Sequence, residues 1–211
     1  MKKQKSLKSK MLLLIGLPVV AIFCITIAIV LQNLKQSVKQ LTTENLASSS
    51  KTASFQINDF FLKNTEVAKQ MSSNSQFEKL FSEVVAGEKI NTAENFAETK
   101  RTMENVFKTD SDNFLSIWMG DVDSSQVAQS DGYLSDSSFV ITTRPWYNQI
   151  LESGDVIITE PYEDSVTKEL VVSIIAPVYQ TGTKTLLGVT GVDFYLDSVY
   201  TMMSGFKLGE T

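Results

Sequence analysis

Three short runs of the sequence bring together an arginine, several acidic residues and several aromatic rings. The runs are TTRPWYNQ at residues 142–149, TEPYED at residues 159–164 and GVDF at residues 191–194. A guanidinium binds a carboxylate through two parallel hydrogen bonds, a carboxylate binds an ammonium, and aromatic faces attract cations and exclude water. These residue types therefore predict a cradle for a zwitterion. The candidate side chains are Arg144, Trp146, Tyr147, Tyr162, Asp164 and Asp193.

The same residue types also permit a purely structural role. Arg144 could pair with Asp164 or with Asp193, while Trp146 and Tyr147 fill the core. An ion pair inside a protein is weak evidence for any particular role. The spacing of the runs leaves both interpretations open.

Composition excludes several function classes. The chain has no histidine, which removes Ser-His-Asp and Cys-His catalysis and the commonest metal ligand. Its single cysteine, Cys24, lies in an apolar run, so neither a disulfide nor a C-x-x-C site is expected. All 24 acidic residues lie beyond Leu31, and such an acidic segment argues against nucleic acid as a partner. No cofactor and no metal are expected.

Residues 11–31 form an uncharged apolar segment. A helix of this length spans roughly 30 Å, the thickness of the hydrocarbon core of a bilayer. A cleaved signal peptide and a lipoprotein anchor at Cys24 are alternatives, but the segment is long and lacks an A-x-A-like cleavage site. Five lysines within residues 1–10 predict a cytoplasmic N-terminus, so the rest of the chain is expected outside the cell membrane.

A long helix is predicted over residues 32–71. Leu31, Leu34, Val38 and Leu41 repeat with 3, 4, 3 spacing, which is a short a/d seam. The helix is interpreted either as a stalk that forms a homodimer or as an amphipathic helix lying on its own domain.

The remainder, residues 72–204, predicts an α+β module. Helical segments are expected from Asn74 to Phe107, and FLSIWMGD and SSQVAQSDG alternate as a hairpin. PWYNQIL suggests a short helix opened by Pro145, and DVIITEPY, ELVVSIIAPVY and TLLGVTGVDFYL are β-rich runs. We therefore predict a PAS-like module with an antiparallel five-stranded sheet and a final helix from Leu196.

The order and spacing of R-P-W-Y, Y-x-D and G-V-D-F resemble the amino-acid-binding motif of the double Cache domain. This extracytoplasmic sensor domain occurs in bacterial chemoreceptors (methyl-accepting chemotaxis proteins), sensor histidine kinases and diguanylate cyclases. The resemblance covers nearly the whole chain and implies its membrane-distal module. It also implies a second, membrane-proximal module, which residues 205–211 would begin, and a cytoplasmic output domain.

Carried over by residue, the resemblance implies that Arg144 and Trp146 hold the α-carboxylate of a free amino acid. It further implies that the α-ammonium is held by Tyr162, Asp164 and Asp193 and that the pocket is shaped by Tyr147.

Two further aromatic residues bear on this site. Phe139 stands where the family pattern has a tyrosine that helps bind the ligand carboxylate. Without that hydroxyl, one hydrogen bond to the charged carboxylate is lost, which is worth roughly 1.5–3 kcal/mol. Trp118, on the first predicted strand, faces either the pocket or the core.

The leading hypothesis is a sensor that binds a small zwitterion. A sensor of amines or small organic acids and a ligand-free structural module are alternatives. An extracytoplasmic enzyme would need paired carboxylates, for which Asp131, Asp136, Glu160 and Glu163 are available, but no spacing singles out an acid and a base.

Overall fold

This computed structural model describes residues 10–204 of the chain. Of the predicted cytoplasmic tail, residues 1–9 lie outside the described residues, as do residues 205–211, the predicted start of a further module. The chain forms two units. The first contains the N-terminal residues up to Thr52, and the second begins at Ala53 and contains the sheet.

One continuous helix follows a single π-helical turn at Leu12–Gly16. This helix, α1, runs over Leu17–Ser72, which confirms the predicted long helix. In the first unit its apolar side chains are exposed on all sides, as for Leu14, Phe23 and Leu31. Its most apolar 18-residue window has a mean hydropathy of 2.9, so this part of α1 is long and apolar enough to cross a membrane.

Two helices and a connecting turn form the helical segments predicted between Asn74 and Phe107. Helix α2 spans Ser75–Glu83, and α3 spans Phe96–Phe107, with a 3-10 turn at Ile90–Thr92 between them. Asn74 caps α2 because its side chain accepts a hydrogen bond from the backbone N–H of Gln76 at 3.0 Å. Gly87 between the helices has a φ of 90°, which a helix cannot accommodate.

The sheet contains six antiparallel strands in the order β2-β1-β6-β5-β3, with β4 also paired to β5. The strands are β1 Ser116–Asp121, β2 Gln126–Gln129, β3 Ile157–Ile158, β4 Tyr162–Glu163, β5 Leu170–Tyr179 and β6 Leu186–Tyr195. Helix α4, Tyr147–Ser153, precedes β3, and α5, Leu196–Ser204, follows β6. The α+β class and the antiparallel sheet are thus confirmed.

The predicted number of five strands was wrong by one. The run DVIITEPY is one strand in the prediction but two in the structure, β3 and β4, which pair with β5 one after the other. Pro161 lies between them and has no N–H to donate to the strand ladder. Pro145 also differs from its expected place, since α4 begins two residues later at Tyr147.

The two faces of the sheet carry different cores. The larger core contains Phe77 and Phe81 of α2, Met71 of α1 and Phe194 of β6. The smaller core on the other face is centred on Trp118, Trp146 and Ile150. Because side chains alternate along a strand, Phe194 and its neighbour Asp193 face opposite cores, which places Asp193 on the side of the two tryptophans.

Candidate functional site

A row of polar side chains crosses three adjacent strands on the tryptophan side of the sheet. The register pairs Asp193 of β6 with Ser116 of β1 on one side and with Ser173 of β5 on the other. Ser116 Oγ donates a hydrogen bond to Asp193 Oδ2 at 3.0 Å, and Ser173 Oγ donates to Oδ1. The strand alignment therefore places a carboxylate between two hydroxyls.

Trp118 supplies a third donor to this carboxylate. Its indole Nε1–H donates to Asp193 Oδ1 at 2.8 Å. Trp118 pairs with Gly191 in the neighbouring strand, and a Cβ atom on Gly191 would lie 2.1 Å from Trp118 Cε2. The indole lies across β6 because position 191 has no side chain, and this is how its N–H reaches Asp193.

The hydroxyl of Tyr162 extends the network. Tyr162 Oη and Ser173 Oγ are 2.8 Å apart. Since the Ser173 hydroxyl donates to Asp193, Tyr162 is the donor of this hydrogen bond. Burial raises the pKa of the Tyr162 hydroxyl, and the charge of Asp193 raises it further, so the phenol stays protonated.

No cation of the described part of the chain forms an ion pair with Asp193. Its side chain is only 2% exposed, and burial raises the pKa of its carboxyl to about 6. The three hydrogen bonds from Ser173, Trp118 and Ser116 lower this pKa, whereas the nearby Asp164 raises it. Neutral donors stabilise an anion less than a cation does, so the ionised carboxylate can still bind an ammonium strongly.

Arg144 is positioned by the residues on both sides of it. It follows a 3-10 turn at Ile141–Thr143, and Pro145 behind it restricts its backbone to an extended conformation, with φ −70° and ψ 142°. Its guanidinium carbon lies 5.7 Å from the centroid of the Phe139 ring and 5.9 Å from that of Tyr162. Both distances are within the range of cation–π attraction.

Asp164 lies in a tight turn that begins directly after β4. Its Oδ2 accepts hydrogen bonds from the backbone N–H groups of Val166 and Thr167 at 2.8 and 2.6 Å and from the Thr167 hydroxyl at 3.1 Å. Among the described residues, no hydrogen bond reaches its other oxygen, Oδ1. The turn therefore orients this carboxylate and leaves one oxygen for a further partner.

The ion pair that the structural interpretation expected is absent. Among residues 10–204 the ion pairs are Lys63–Asp110, Lys79–Glu83 and Lys100–Glu104, and neither Arg144 nor the two aspartates take part in one. The suggestion that Arg144 bridges to Asp164 or Asp193 is thus wrong for this structure. The site contains one cation and two anions that are close to each other but unpaired.

These side chains line one cleft with an empty volume of about 320 Å³, counting the solvent at its mouth. Seven of the eight predicted residues line it: Trp118, Phe139, Arg144, Trp146, Tyr162, Asp164 and Asp193. Tyr147 is the exception. Its ring is 6.4 Å from that of Trp146, which in turn is 5.4 Å from Trp118, so Tyr147 lies behind the lining.

Other residues of the site were missed by sequence reasoning. Ser116 and Ser173 bond to Asp193, and Val127, Gln129, Ser165 and Val166 complete the cleft lining. One signal was readable, because Gly191 precedes Asp193 by two residues and so shares its face of the strand. The serines have no such signal, since their role depends on the register of three strands.

Residues 81–201 match the family model of the methyl-accepting chemotaxis protein-like first PDC sensor domain. The chain belongs to this family. It is 27% identical over 121 residues to the methyl-accepting chemotaxis protein McpG of Pseudomonas putida, which covers 56% of this chain and 18% of McpG. It is 31% identical over 96 residues to PctB of Pseudomonas aeruginosa, covering 46% and 15% of the two chains. The matched region is thus less than a fifth of either relative.

Solved structures of similar fold include sensory domains of chemoreceptors. The sensory domain of Campylobacter jejuni Tlp3 with isoleucine bound has a TM-score of 0.61 at 19% identity, covering 82% of this chain and 65% of that domain. The ligand-binding domain of Pseudomonas fluorescens CtaA with L-isoleucine has a TM-score of 0.56 at 20% identity, covering 74% and 57%. These matches show a common fold.

Adding a side chain at position 191 should disrupt the hydrogen bond between Trp118 and the Asp193 carboxylate. In Gly191→Ala the new methyl group would overlap the Trp118 indole, so the ring must move and lose its hydrogen bond to Asp193. We expect a changed tryptophan fluorescence spectrum and a loss of about 1–3 kcal/mol in unfolding free energy, measured by urea titration. Gly182→Ala is the control for the fluorescence change: its φ of 76° makes alanine strained there, so it should also cost stability, but nothing lies within 4 Å of its Cβ position and the tryptophan spectrum should stay the same. An unchanged spectrum in Gly191→Ala would contradict this packing.

The stability of the protein should depend on the protonation of Asp193. Its pKa is about 6 in the fold and about 3.9 in an unfolded chain. Between these pH values the folded state binds more protons, so unfolding free energy should fall as pH rises from 4 to 6 and then level off. Asp193→Asn should remove this loss. Above pH 6 the unfolding free energy of the variant should exceed that of the wild type by on the order of 1–3 kcal/mol. Denaturation curves at pH 4–7.5 measure the difference, which should vanish near pH 4.

The buried carboxyl of Asp121 requires a control in that experiment. Burial raises the pKa of this group as well. Its contribution is common to the wild type and Asp193→Asn, so it cancels in the difference between the two proteins. A constant difference at all pH values would show that Asp193 does not titrate in this range.

Proposed function

We propose that this chain is the ligand-binding sensor part of a transmembrane chemoreceptor and that its ligand is a free amino acid. The observation that carries this proposal is the unpaired arrangement of Arg144, Asp164 and Asp193 around one cleft. A zwitterion pairs both signs of charge at once. Its α-carboxylate would lie against the guanidinium of Arg144, and its α-ammonium against Asp193 and the free oxygen of Asp164.

The aromatic walls strengthen both contacts. Trp118 and Trp146 are each at least 97% buried, and together with Phe139 and Tyr162 they surround the charged groups. Excluding water from charged pairs increases their attraction. Phe139 acts here through the face of its ring against Arg144, a contact that needs no hydroxyl. The tyrosine of the family pattern helps bind the ligand carboxylate, so in this chain the carboxylate would depend on Arg144 without that hydroxyl.

The relatives are consistent with this proposal. The described sensory domains of Tlp3 and CtaA contain isoleucine, and the PctB ligand-binding domain is described with L-arginine. At 18–20% identity such similarity supports a common mode of binding without naming the ligand of this chain.

The cleft supports binding without chemical conversion of the ligand. Asp164 and Asp193 are the acidic residues of its lining. Each carboxylate already accepts hydrogen bonds from protein donors, so each is fixed in place as an acceptor. Among the described residues that line the cleft, no nucleophile is hydrogen-bonded to a base. We therefore propose a receptor module that is not an enzyme.

The membrane arrangement is proposed from sequence and helix length together. Helix α1 would cross the cell membrane with its first part, with the lysine-rich N-terminus in the cytoplasm and the sheet outside. The seam residues Leu34, Val38 and Leu41 are more than half exposed, which suits the predicted homodimer.

A short path links the cleft to helix α1 within the second unit. Asp193 faces the cleft, while Phe194 beside it packs against Phe60 of α1 with ring centroids 4.9 Å apart. Thr190 of the same strand donates a hydrogen bond to the carbonyl of Ala68 in α1 at 3.4 Å. A ligand that shifts β6 would therefore also shift α1, provided that it binds one position of the strand more tightly than the other.

A binding screen tests the zwitterion proposal. The full chain in detergent is assayed by thermal shift against the twenty amino acids, simple amines and small organic acids. A ligand at 100 times its Kd should add about 2.7 kcal/mol of stability, which is several degrees in Tm. Arg144→Ala should weaken binding by 2–5 kcal/mol, or about 30- to 5,000-fold, because the ligand carboxylate would lose its cation. Arg101→Ala, which removes an exposed arginine, should bind like the wild type.

Other outcomes of the screen are equally informative. Thermal shifts with amines alone would support ammonium binding by the two aspartates and contradict carboxylate binding by Arg144. Affinity should also fall up to tenfold per pH unit below about pH 6, as Asp193 becomes protonated. No shift with any compound from a folded sample would contradict the proposal and favour a structural module.

Disulfide cross-linking in membranes tests the dimer and its coupling to the cleft. In a Cys24→Ser background, Leu34→Cys on the seam should cross-link faster than Gln36→Cys off the seam. An amino acid that binds should change the rate at position 34 by at least about twofold, and Phe60→Ala should reduce this change. Equal rates at the two positions would contradict the dimer seam. A cross-linking rate at position 34 that stays the same at a saturating ligand concentration would contradict the coupling.

A further inference from the structure

Four lining residues remain once the charged and aromatic groups have been assigned to the α-carboxylate and α-ammonium. They are Val127, Gln129, Ser165 and Val166. Gln129 differs from the others because a large polar side chain is almost fully enclosed, with only 7% of the residue exposed. Among the described residues no hydrogen bond reaches its carboxamide, which has two donors and one acceptor. Neither carboxamide atom is among the fully buried unpaired atoms of the described residues, so the group meets solvent in the cleft. A ligand that displaced this solvent without offering a hydrogen bond would leave the carboxamide unpaired, at a cost of about 1–3 kcal/mol.

The backbone holds this side chain towards the cleft. Gln129 is paired with Trp118 across β1 and β2, and its N–H donates to the carbonyl of Tyr133 at 2.9 Å. Residues directly opposite each other in an antiparallel pair project from the same face. Val127, two residues earlier, lines the cleft as well, whereas Ala128 between them belongs to the core on the other face.

The register also separates Gln129 from the carboxylate. Strand β1 lies between β2 and β6, so the strands of Gln129 and Asp193 are about 10 Å apart. Asp193 is opposite Ser116, and Gln129 is opposite Trp118, two residues further along β1. The two side chains thus lie at different ends of the cleft floor. A ligand whose ammonium is at Asp193 would extend its side chain towards Gln129.

We propose that Gln129 is a specificity residue that selects amino acids with a short, uncharged side chain carrying a hydroxyl or carboxamide group. This inference rests on the proposed function of the same cleft. The charged lining residues are Arg144, Asp164 and Asp193, and all three are used by the α-groups of the ligand. An ionised side chain would therefore find no counter-ion, and an aliphatic one would leave the carboxamide of Gln129 unpaired.

Such a site discriminates more strongly than an apolar pocket does. A methyl group more or less changes affinity only modestly, but an analogue that lacks a required hydrogen-bonding group is rejected because the buried partner stays unpaired. The two valines, Val127 and Val166, would contact the carbon atoms of the ligand side chain and limit its length. Ser165 supplies a second hydroxyl to the lining.

Isosteric pairs of amino acids test this inference. Isothermal titration of the full chain in detergent compares threonine with valine and asparagine with leucine, pairs that differ in polarity and hardly in shape. In the wild type the polar member of at least one pair should bind at least about tenfold more tightly, a difference of about 1.4 kcal/mol. Gln129→Leu should abolish this preference while aliphatic amino acids bind as well as before or better. Gln149→Leu, an exposed glutamine on α4, is the matched control and should retain it.

The possible failures are distinguishable. If amino acids bind but valine and leucine equal their polar isosteres, and Gln129→Leu changes neither, the role of Gln129 is overturned and the proposed function stands. A preference that survives in Gln129→Leu would likewise overturn it. If no amino acid binds to the folded wild type, the proposed function fails and this inference fails with it.

Discussion

The Asp193 carboxylate is the constraint on which the rest of this site depends. It is buried on the central strand of the sheet and is held by two serine hydroxyls and one indole N–H, none of which carries a charge. Burial without a cation raises the pKa of this group to about 6. The fold thus maintains an anion in a setting that favours its neutral form. A ligand ammonium would stabilise the ionised carboxylate, and this would favour binding of a cationic group at Asp193.

The sheet register creates this arrangement more than any single residue does. Ser116, Asp193 and Ser173 come from three strands that are far apart in the chain, and they form one row because β1, β6 and β5 are aligned at that level. Alternation along β6 then assigns opposite tasks to neighbouring residues. Asp193 faces the cleft, whereas Phe194 packs against Phe60 of the long helix. The proposed binding on one face and the packing on the other therefore involve the same short segment.

Within residues 10–204, Arg144 has no carboxylate partner, and this completes the site. Its guanidinium lies against the Phe139 and Tyr162 rings, which restrain it without neutralising it. A direct ion pair with Asp193 or Asp164 would have satisfied both charges and left nothing for a ligand to contribute. The separation of these groups is the basis for the proposal that they form a cradle for a zwitterion. The family match shows that this geometry occurs in a chemotaxis protein-like sensor domain, and the solved sensory domains share its fold.

Much of this could be predicted from the sequence by itself. The apolar run from Met11 to Leu31, the 3, 4, 3 seam and the alternating strands determine the long helix and the α+β class, because they depend on local periodicity. The motif residues Arg144, Trp146, Tyr162, Asp164 and Asp193 were also recognisable by type and spacing. The tertiary structure decided which of them face the cleft, placing Tyr147 behind Trp146 and Trp118 in contact with Asp193. It also revealed the positions of Ser116, Ser173 and Gln129 at the cleft, which arise from pairings between strands, and no local pattern in the sequence encodes such a register.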